Sequence, residues 1–262
     1  MPYALRLIGV ALLASLGWWQ WQPDPPALAT LPAPTRVEVV AMAAELPAKP
    51  LRLTLKASAC LERCAEFELD ALQFPQAPEL THAFLAAIDA PAGPSPEERV
   101  MAMAKTLLKE AAEFHEPWQQ IVKAQQVPGI SNIVVIDIDN YTYTGGAHGM
   151  NVVSALNWDT RLQRVVTLKD TLLPEQADAF WREAKQVHQK WSAMQPDAKS
   201  LVDGWPFDKT DVFALLPAGL VLKYQPYALG PYSMGTPELV IPYARLGGIL
   251  KPEYLPKSNA IR

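Results

Sequence analysis

The sequence predicts an α+β fold, with antiparallel sheets and helices packed on them, after an N-terminal apolar helix and a proline-rich linker. Half of the 262 residues are hydrophobic, which is typical of a globular chain with a sizeable core. Several segments alternate apolar and polar residues, as half-buried strands do, and they occur in groups joined by short links. Single segments with apolar residues at helical spacing separate these groups, which favours helices packed on sheets.

The N-terminal segment is predicted to direct the protein out of the cytoplasm. Residues 1–22 contain the uncharged run LIGVALLASLGWWQW, and about 20 apolar residues are needed to cross a bilayer as a helix. In one interpretation, residues 4–21 are an inner-membrane anchor whose tryptophans lie at the interface. In the other, a signal peptide is cleaved at the ALA of residues 27–29. Both interpretations predict a periplasmic or otherwise extracytoplasmic body.

A spacer and two halves follow this segment. Residues 23–45 are rich in proline and are predicted to form an extended linker that holds the body away from a membrane. We expect the body to consist of a first half, residues 46–135, and a second half, residues 136–255.

The first half begins with two strands joined by a short loop. LRLTLKA, residues 51–57, and EFELDALQFP, residues 66–75, both alternate apolar and polar residues. Between them, Cys60 and Cys64 have C-x-x-x-C spacing, which in an exported protein is more often a disulfide than a free dithiol. A metal site would need more ligands than these two. We therefore predict a structural disulfide that closes a hairpin.

The longest helical segment has a clear beginning. Ser95 is a good N-cap, Pro96 occupies the first helical position, and Glu98 completes a capping box. The segment is predicted to continue towards Gln126, with Pro117 ending or kinking the helix.

The remaining elements are predicted from alternation, helical spacing and turn residues. Three of the strands should form an antiparallel meander, and a later pair should form a hairpin with PAG at its turn. The predicted elements are a short helix at 78–88, meander strands at 131–144, 150–160 and 164–173, a helix at 174–191, the hairpin at 211–227, a strand at 238–243 and a helical turn at 244–250.

The sequence lacks the motifs of several functional classes. It has no G-x-S-x-G elbow, no H-E-x-x-H helix and no Walker loop, so we expect no cofactor and no enzymatic activity. The formal charge of −4 predicts no basic face, which argues against a nucleic acid partner. Asp137 and Asp139 share one face of a strand. Such a pair usually faces solvent, and this is the main interpretation. In the alternative, the protein is a peptidoglycan-directed hydrolase or a metal-dependent enzyme that uses both carboxylates and His148.

The stretch NYTYTGGAHGMN, residues 140–151, combines three glycines with one histidine. Gly145 and Gly146 permit backbone angles that other residues disfavour, and His148 follows beside them. A structural turn is the simplest interpretation. A binding surface and a catalytic loop remain open alternatives.

Two stretches resemble the DUF3298 family. YTYTGGAHGMNVVSALNWDT, followed by VVTLKDTL, is similar to the family stretch Y-x-Y-T-G-G-A-H-G and the strand and turn after it. FALLPAGLVLKYQPYALGPYSMGTPELVIPYARLGGIL is similar to the second family signature, with Gln225 in place of the usual asparagine and SMG in place of AAG. The upstream half, residues 46–135, loosely resembles the DUF4163 partner domain.

This resemblance implies an exported, membrane-tethered and non-catalytic module. Such modules occur in RsiV-type anti-sigma factors, where they bind C-type lysozyme, and in PdaC-type peptidoglycan deacetylases, whose catalysis lies in another domain. Only about six residues precede the apolar run, so we do not expect a full anti-sigma role. We expect a cell-envelope module that binds a lysozyme-like protein or a peptidoglycan fragment through the loop 227–235 and the turn 145–149. The residues expected to bind are Gly145, Gly146, His148, Tyr227, Pro231 and Tyr232.

Overall fold

The computed structural model of the protein describes residues 45–58, 63–196 and 198–257. The predicted N-terminal helix of residues 1–22 and nearly all of the 23–45 linker lie outside these residues. Among the described residues, no helix is both long enough and apolar enough to cross a membrane. The α+β fold class is confirmed, with two sheets and helices packed on them.

The larger sheet has six strands in chain order, and all neighbours are antiparallel except β2 and β3. The strands are β1 (Lys49–Lys56), β2 (Glu66–Gln73), β3 (Gln119–Val127), β4 (Ile133–Tyr143), β5 (Met150–Asp159) and β6 (Arg164–Val166). A parallel pair needs a long crossover, and helices α1 (Pro78–Ala87) and α2 (Pro96–Phe114) supply it. β4, which spans the predicted division at 135/136, lies between β3 and β5.

β1 and β2 form the antiparallel hairpin that the sequence predicts. The backbone N–H of Ala57 donates to the carbonyl of Ala65 at 2.9 Å and extends the pairing towards the connecting loop. Cys60 lies outside the described residues, so its disulfide with Cys64 stays a prediction. No free cysteine occurs in the part of the chain that the structure describes.

Helix α2 begins where its capping residues predict. The Ser95 hydroxyl accepts a hydrogen bond from the backbone N–H of Glu98 at 3.2 Å. The expectation that the helical segment runs towards Gln126 is wrong, because the helix ends at Phe114 and β3 begins five residues later. Pro117 cannot continue a helix, and it biases the residue before it towards extended backbone. The residues after it then pair with two neighbouring strands.

The second sheet has three antiparallel strands, β7 (Phe213–Leu216), β8 (Gly219–Lys223) and β9 (Glu238–Ile241). The tight PAG turn between β7 and β8 is confirmed. The expected strand at 164–173 is wrong beyond Val166. The residues that follow form helix α3 (Leu168–Thr171), because the side chains of Thr167 and Asp170 make a capping box. Helices α4 (Ala177–Ala193) and α5 (Ala198–Gly204) complete the described elements of regular helix.

The large sheet separates two hydrophobic cores, because successive side chains of a strand point to opposite faces. In β4, Val134 and Ile136 pack with α1 and α2 on one face, whereas Ile133 and Val135 pack with the second sheet and α4 on the other. The second sheet contacts the larger one at β4 and β5. On the same face, beside this contact, Asp70, Lys123, Asp137 and Asp139 are among the residues that line an open depression of about 390 Å³.

Candidate functional site

The glycines of the 140–151 stretch form the connection between β4 and β5. Gly145 has a φ of 102° and Gly146 a φ of 87°, both in the region that favours glycine. The hydroxyl of Tyr143 donates to the carbonyl of Gly146 at 3.2 Å and closes the turn. The connection therefore has a local structural reason for its glycines, independent of any ligand.

The turn brings His148 against two tyrosines from a distant part of the chain. The imidazole of His148 stacks on the ring of Tyr232, with ring centroids 3.8 Å apart and planes inclined by 18°. Tyr227 completes the group, because its hydroxyl lies 3.2 Å from Nε2 of His148. We refer to His148, Tyr227 and Tyr232 as the aromatic cluster. It joins three of the six residues that the sequence predicts to bind.

The hydrogen bonds of the aromatic cluster determine the tautomer of a neutral His148. Nδ1 of His148 lies 2.9 Å from the carbonyl oxygen of Gly149, which can only accept, so Nδ1 carries the proton. Nε2 then accepts from the hydroxyl of Tyr227. The hydroxyl of Tyr232 donates to the same Gly149 carbonyl at 2.9 Å. One backbone oxygen thus holds both stacked rings.

Gly149 lies so close to β4 that a side chain would not fit. A Cβ at this position would be 2.4 Å from Cζ of Tyr141 and 2.6 Å from the carbonyl oxygen of Thr142. These distances are far below van der Waals contact, so any larger residue must displace either Tyr141 or the strand backbone. The third glycine of the stretch therefore sets the position of the carbonyl that anchors the aromatic cluster.

The segment that carries the tyrosines is shaped by its own backbone. Pro231 precedes the short 3₁₀ turn Tyr232–Met234, and Gly235 ends this turn with a φ of 65°. Tyr227 has a φ of 68°, which is costly for a tyrosine, and its side chain is 48% exposed. Tyr227 is therefore an exposed aromatic residue held in an unfavourable backbone conformation.

Gln225 attaches this segment to the edge of β5. Its side-chain amide accepts from the backbone N–H of Val153 at 2.9 Å and donates to the carbonyl of the same residue at 2.7 Å. It therefore pairs with β5 much as another strand would. The sequence identifies Gln225 only as a departure from the family pattern. An amide two residues after a buried strand and directly before a proline is the local signal that could have indicated this role.

Of the two carboxylates in the hydrolase alternative, Asp137 is engaged elsewhere and Asp139 is exposed. Asp137 forms a short ion pair with Lys223, which also contacts Glu238 at 3.1 Å. Burial lowers the pKa of Lys223, but hydrogen bonds and charge from Asp137 and Glu238 outweigh it and raise the pKa above its ordinary value. Among the described residues, no hydrogen bond or ion pair joins Asp137 or Asp139 to His148.

No set of three or more histidine, cysteine or acidic side chains suited to a metal occurs within residues 45–58, 63–196 and 198–257.

The structure only partly brings together the six residues that the sequence predicts to bind. His148, Tyr227 and Tyr232 meet directly, and Pro231 precedes Tyr232 in the same turn. Gly145 and Gly146 shape the connection that leads to His148.

A crystal structure of a protein from Pseudomonas aeruginosa PAO1, described as a DUF3298 family protein, is similar to this structure. The similarity covers nearly the whole length of the Pseudomonas protein. The two are 33% identical and superpose with a TM-score of 0.69, covering 82% of this chain and 98% of the other. The chain belongs to the DUF3298 family.

Two further comparisons agree with membership of the DUF3298 family. The family model, described as a protein of unknown function, matches residues 169–244. A family member from Bacteroides fragilis NCTC 9343 has the same fold at 18% identity, with a TM-score of 0.68 over 81% of this chain and 96% of the other. No curated protein matches the sequence. The DUF3298 match contains Tyr227 and Tyr232, whereas His148 precedes it in the chain.

Proposed function

We propose that this DUF3298 protein is a non-catalytic binding module of the cell envelope that recognises a lysozyme-like protein through the aromatic cluster. The observation that carries the proposal is the meeting of His148 and Tyr227, which are 79 positions apart in the chain, on the protein surface. The fold uses two independent segments to hold tyrosine and histidine side chains at one place. Such rings provide large contact areas and hydrogen-bonding groups at low entropic cost.

The rigidity of the segments supports a recognition role. Tyr232 cannot rotate freely, because its ring is stacked on His148 and its hydroxyl is bound to Gly149. A side chain that is already ordered loses little entropy when it binds a partner. The resemblance to RsiV-type modules supports a lysozyme-like protein as that partner, and it also supports export and a membrane tether through residues 4–21. The DUF4163-like character of residues 46–135 belongs to the same proposal.

A peptidoglycan fragment is the second candidate ligand. Asp139 lines the open depression, and Tyr141 lies two residues further along β4 on the same face, so a ring and a carboxylate are available to a sugar there. A hydrolase that uses Asp137, Asp139 and His148 has less support. Lys223 engages Asp137, and the hydrogen bonds of the aromatic cluster occupy both ring nitrogens of His148.

Calorimetric titration of the purified protein with a C-type lysozyme tests the proposal, with muramidase activity followed in parallel. We expect binding, loss of muramidase activity, and an affinity at least about tenfold weaker for Tyr232→Ala, as for a central aromatic contact. Phe114→Ala is the matched control, because Phe114 is an exposed aromatic residue that stacks on Trp118 and not on the cluster. Equal affinities for the wild type and a folded Tyr232→Ala variant would contradict the proposal.

A further inference from the structure

A small pocket is lined in part by the turn that carries Tyr232. It has a volume of about 240 Å³ and is bounded by the end of α4, by α5 and by the turn itself. Its apolar walls are formed by Pro196, Leu201, Trp205, Pro231 and Met234. This volume is sufficient for one medium-sized apolar group, and the lining is of the kind that binds such groups.

The polar residues of the pocket do not change its apolar character. The side-chain amide of Gln195 donates to the backbone carbonyl of Trp191 at 3.1 Å, so it is turned towards its own helix. Ser200 is exposed and lies on the α5 wall. Met194 and Val202, which neighbour lining residues in the chain, are among the exposed large hydrophobic residues of the described chain. The walls of the pocket therefore suit an uncharged, apolar occupant.

One short segment, residues 230–234, contributes to both the pocket and the aromatic cluster. A Cβ on Gly230 would be 2.3 Å from Sδ of Met234 and 3.3 Å from Cδ1 of Leu201, so the segment packs tightly against α5 at this point. The next residues, Pro231 and Tyr232, then face the pocket and the cluster respectively. The pocket and the aromatic cluster therefore share one turn, in which Pro231 lines the pocket and the adjacent Tyr232 belongs to the cluster.

We propose that this pocket is a subsite for one apolar side chain, of leucine or phenylalanine size, on the protein that the aromatic cluster binds. The inference rests on the proposed function. Its physical basis is that an apolar side chain inserted into a preformed pocket beside aromatic contacts is the usual arrangement of a strong contact in a protein interface. Pro231 lines the pocket and the next residue, Tyr232, belongs to the aromatic cluster, so one partner protein can contact both. For this reason we expect the occupant of the pocket to be a side chain of that partner.

A direct test uses the full chain and a side-chain mimic. N-acetyl-phenylalaninamide is titrated while the indole N–H resonance of Trp205 is followed by NMR, with N-acetyl-glycinamide as the comparison. We expect a saturable shift with the phenylalanine compound only, and at least about tenfold weaker binding for Ser200→Glu, which places a charge at the apolar mouth. Gln189→Glu adds the same charge at an exposed position of α4 and should bind as the wild type does. Absence of a Trp205 shift in the wild type would overturn the subsite.

Lysozyme titration then separates the subsite from the proposed function. Both proposals are supported if Ser200→Glu and Tyr232→Ala each weaken lysozyme binding at least about tenfold while Gln189→Glu does not. If Tyr232→Ala weakens binding and a folded Ser200→Glu does not, the subsite is overturned and the proposed function stands. If the wild type does not bind lysozyme, the proposed function fails, and the Trp205 titration alone decides whether the pocket accepts an apolar side chain.

Discussion

His148 stacks on Tyr232 at a centroid distance of 3.8 Å, and this contact joins the β4–β5 connection to the turn after β8. The carbonyl of Gly149 accepts hydrogen bonds from both side chains, at 2.9 Å in each case. The shared backbone acceptor fixes the two rings relative to each other. The hydrogen bond and the stack of Tyr232 can be removed one at a time, so the contribution of each to stability can be measured.

Tyr232→Phe should separate the hydrogen bond from the stack. The variant loses the bond to Gly149 but keeps the ring, so we expect the free energy of unfolding to fall by about 1 kcal/mol. Tyr232→Ala loses the ring contact with His148 as well, which should cost about 1 kcal/mol more. Guanidinium unfolding of the three proteins measures both differences. Identical losses for the two variants would mean that the stack does not stabilise the fold.

Asn157 should be essential for joining the two sheets. It is 1% exposed, its amide donates to the carbonyl of Phe213 at 2.7 Å, and its oxygen accepts from the backbone N–H of Leu215 at 2.8 Å. Asn157→Ala leaves both β7 groups without a partner, so we expect a loss of about 3 kcal/mol in unfolding free energy.

Asn151→Ala is the control for the Asn157 prediction, because the side-chain oxygen of Asn151 is buried without a hydrogen-bond partner. Removing this oxygen should lower the free energy of unfolding by less than about 1 kcal/mol. Chemical unfolding of both variants gives the comparison. A similar loss at both positions would show that the paired amide of Asn157 is not what couples the sheets.

The ion pair of Asp137 and Lys223 should behave as a coupled unit. Lys223 is 8% exposed, so Asp137→Ala leaves a largely buried ammonium group with Glu238 as its remaining acidic partner. We expect a loss of about 2 kcal/mol, less than for a fully buried pair because Asp137 is partly accessible to solvent. The double variant Asp137→Ala with Lys223→Met removes the charge itself and should be more stable than Asp137→Ala alone.

Unfolding experiments on the double-mutant cycle test this coupling. Asp139→Ala is the control, since Asp139 is exposed and forms no ion pair with any described residue, and it should change stability by less than about 0.5 kcal/mol. The cycle also needs the single variant Lys223→Met. If the losses of Asp137→Ala and Lys223→Met simply add in the double variant, Asp137 and Lys223 are not coupled as the structure indicates.

His188 should make stability depend on pH. It is 4% exposed, and burial lowers its pKa below the ordinary value of 6.5. The unfolded chain therefore binds the proton more readily than the folded chain. The free energy of unfolding should be at its full value above about pH 6.5 and decrease as the pH falls through the folded-state pKa.

Unfolding measured between pH 5 and pH 7.5 tests this dependence. His188→Gln should have a flatter pH profile than the wild type, even if its stability is lower throughout. His82→Gln, which alters an exposed histidine of α1, should keep the wild-type profile. A His188→Gln profile as steep as that of the wild type would assign the pH dependence to other groups.

Local signals in the sequence were sufficient for much of the fold. Ser95 and Pro117 predict where helix α2 begins and where it cannot continue, because capping and the missing proline N–H act within a few residues. β3 was missed for the opposite reason. Its residues Gln119–Val127 are largely polar and compatible with a helix, and only pairing with β2 and β4 makes them a strand.

The sequence by itself determined the local features of the candidate site. It singled out the glycine turn, His148 and the tyrosine loop, and alternation placed Asp137 and Asp139 on one face. Only the tertiary structure decided which of these groups meet. His148 reaches Tyr227 across 79 positions, and Asp137 reaches Lys223 across 86. Contacts at such separations form only when two sheets pack together, and no local pattern of residues encodes which side chains then come within hydrogen-bonding distance.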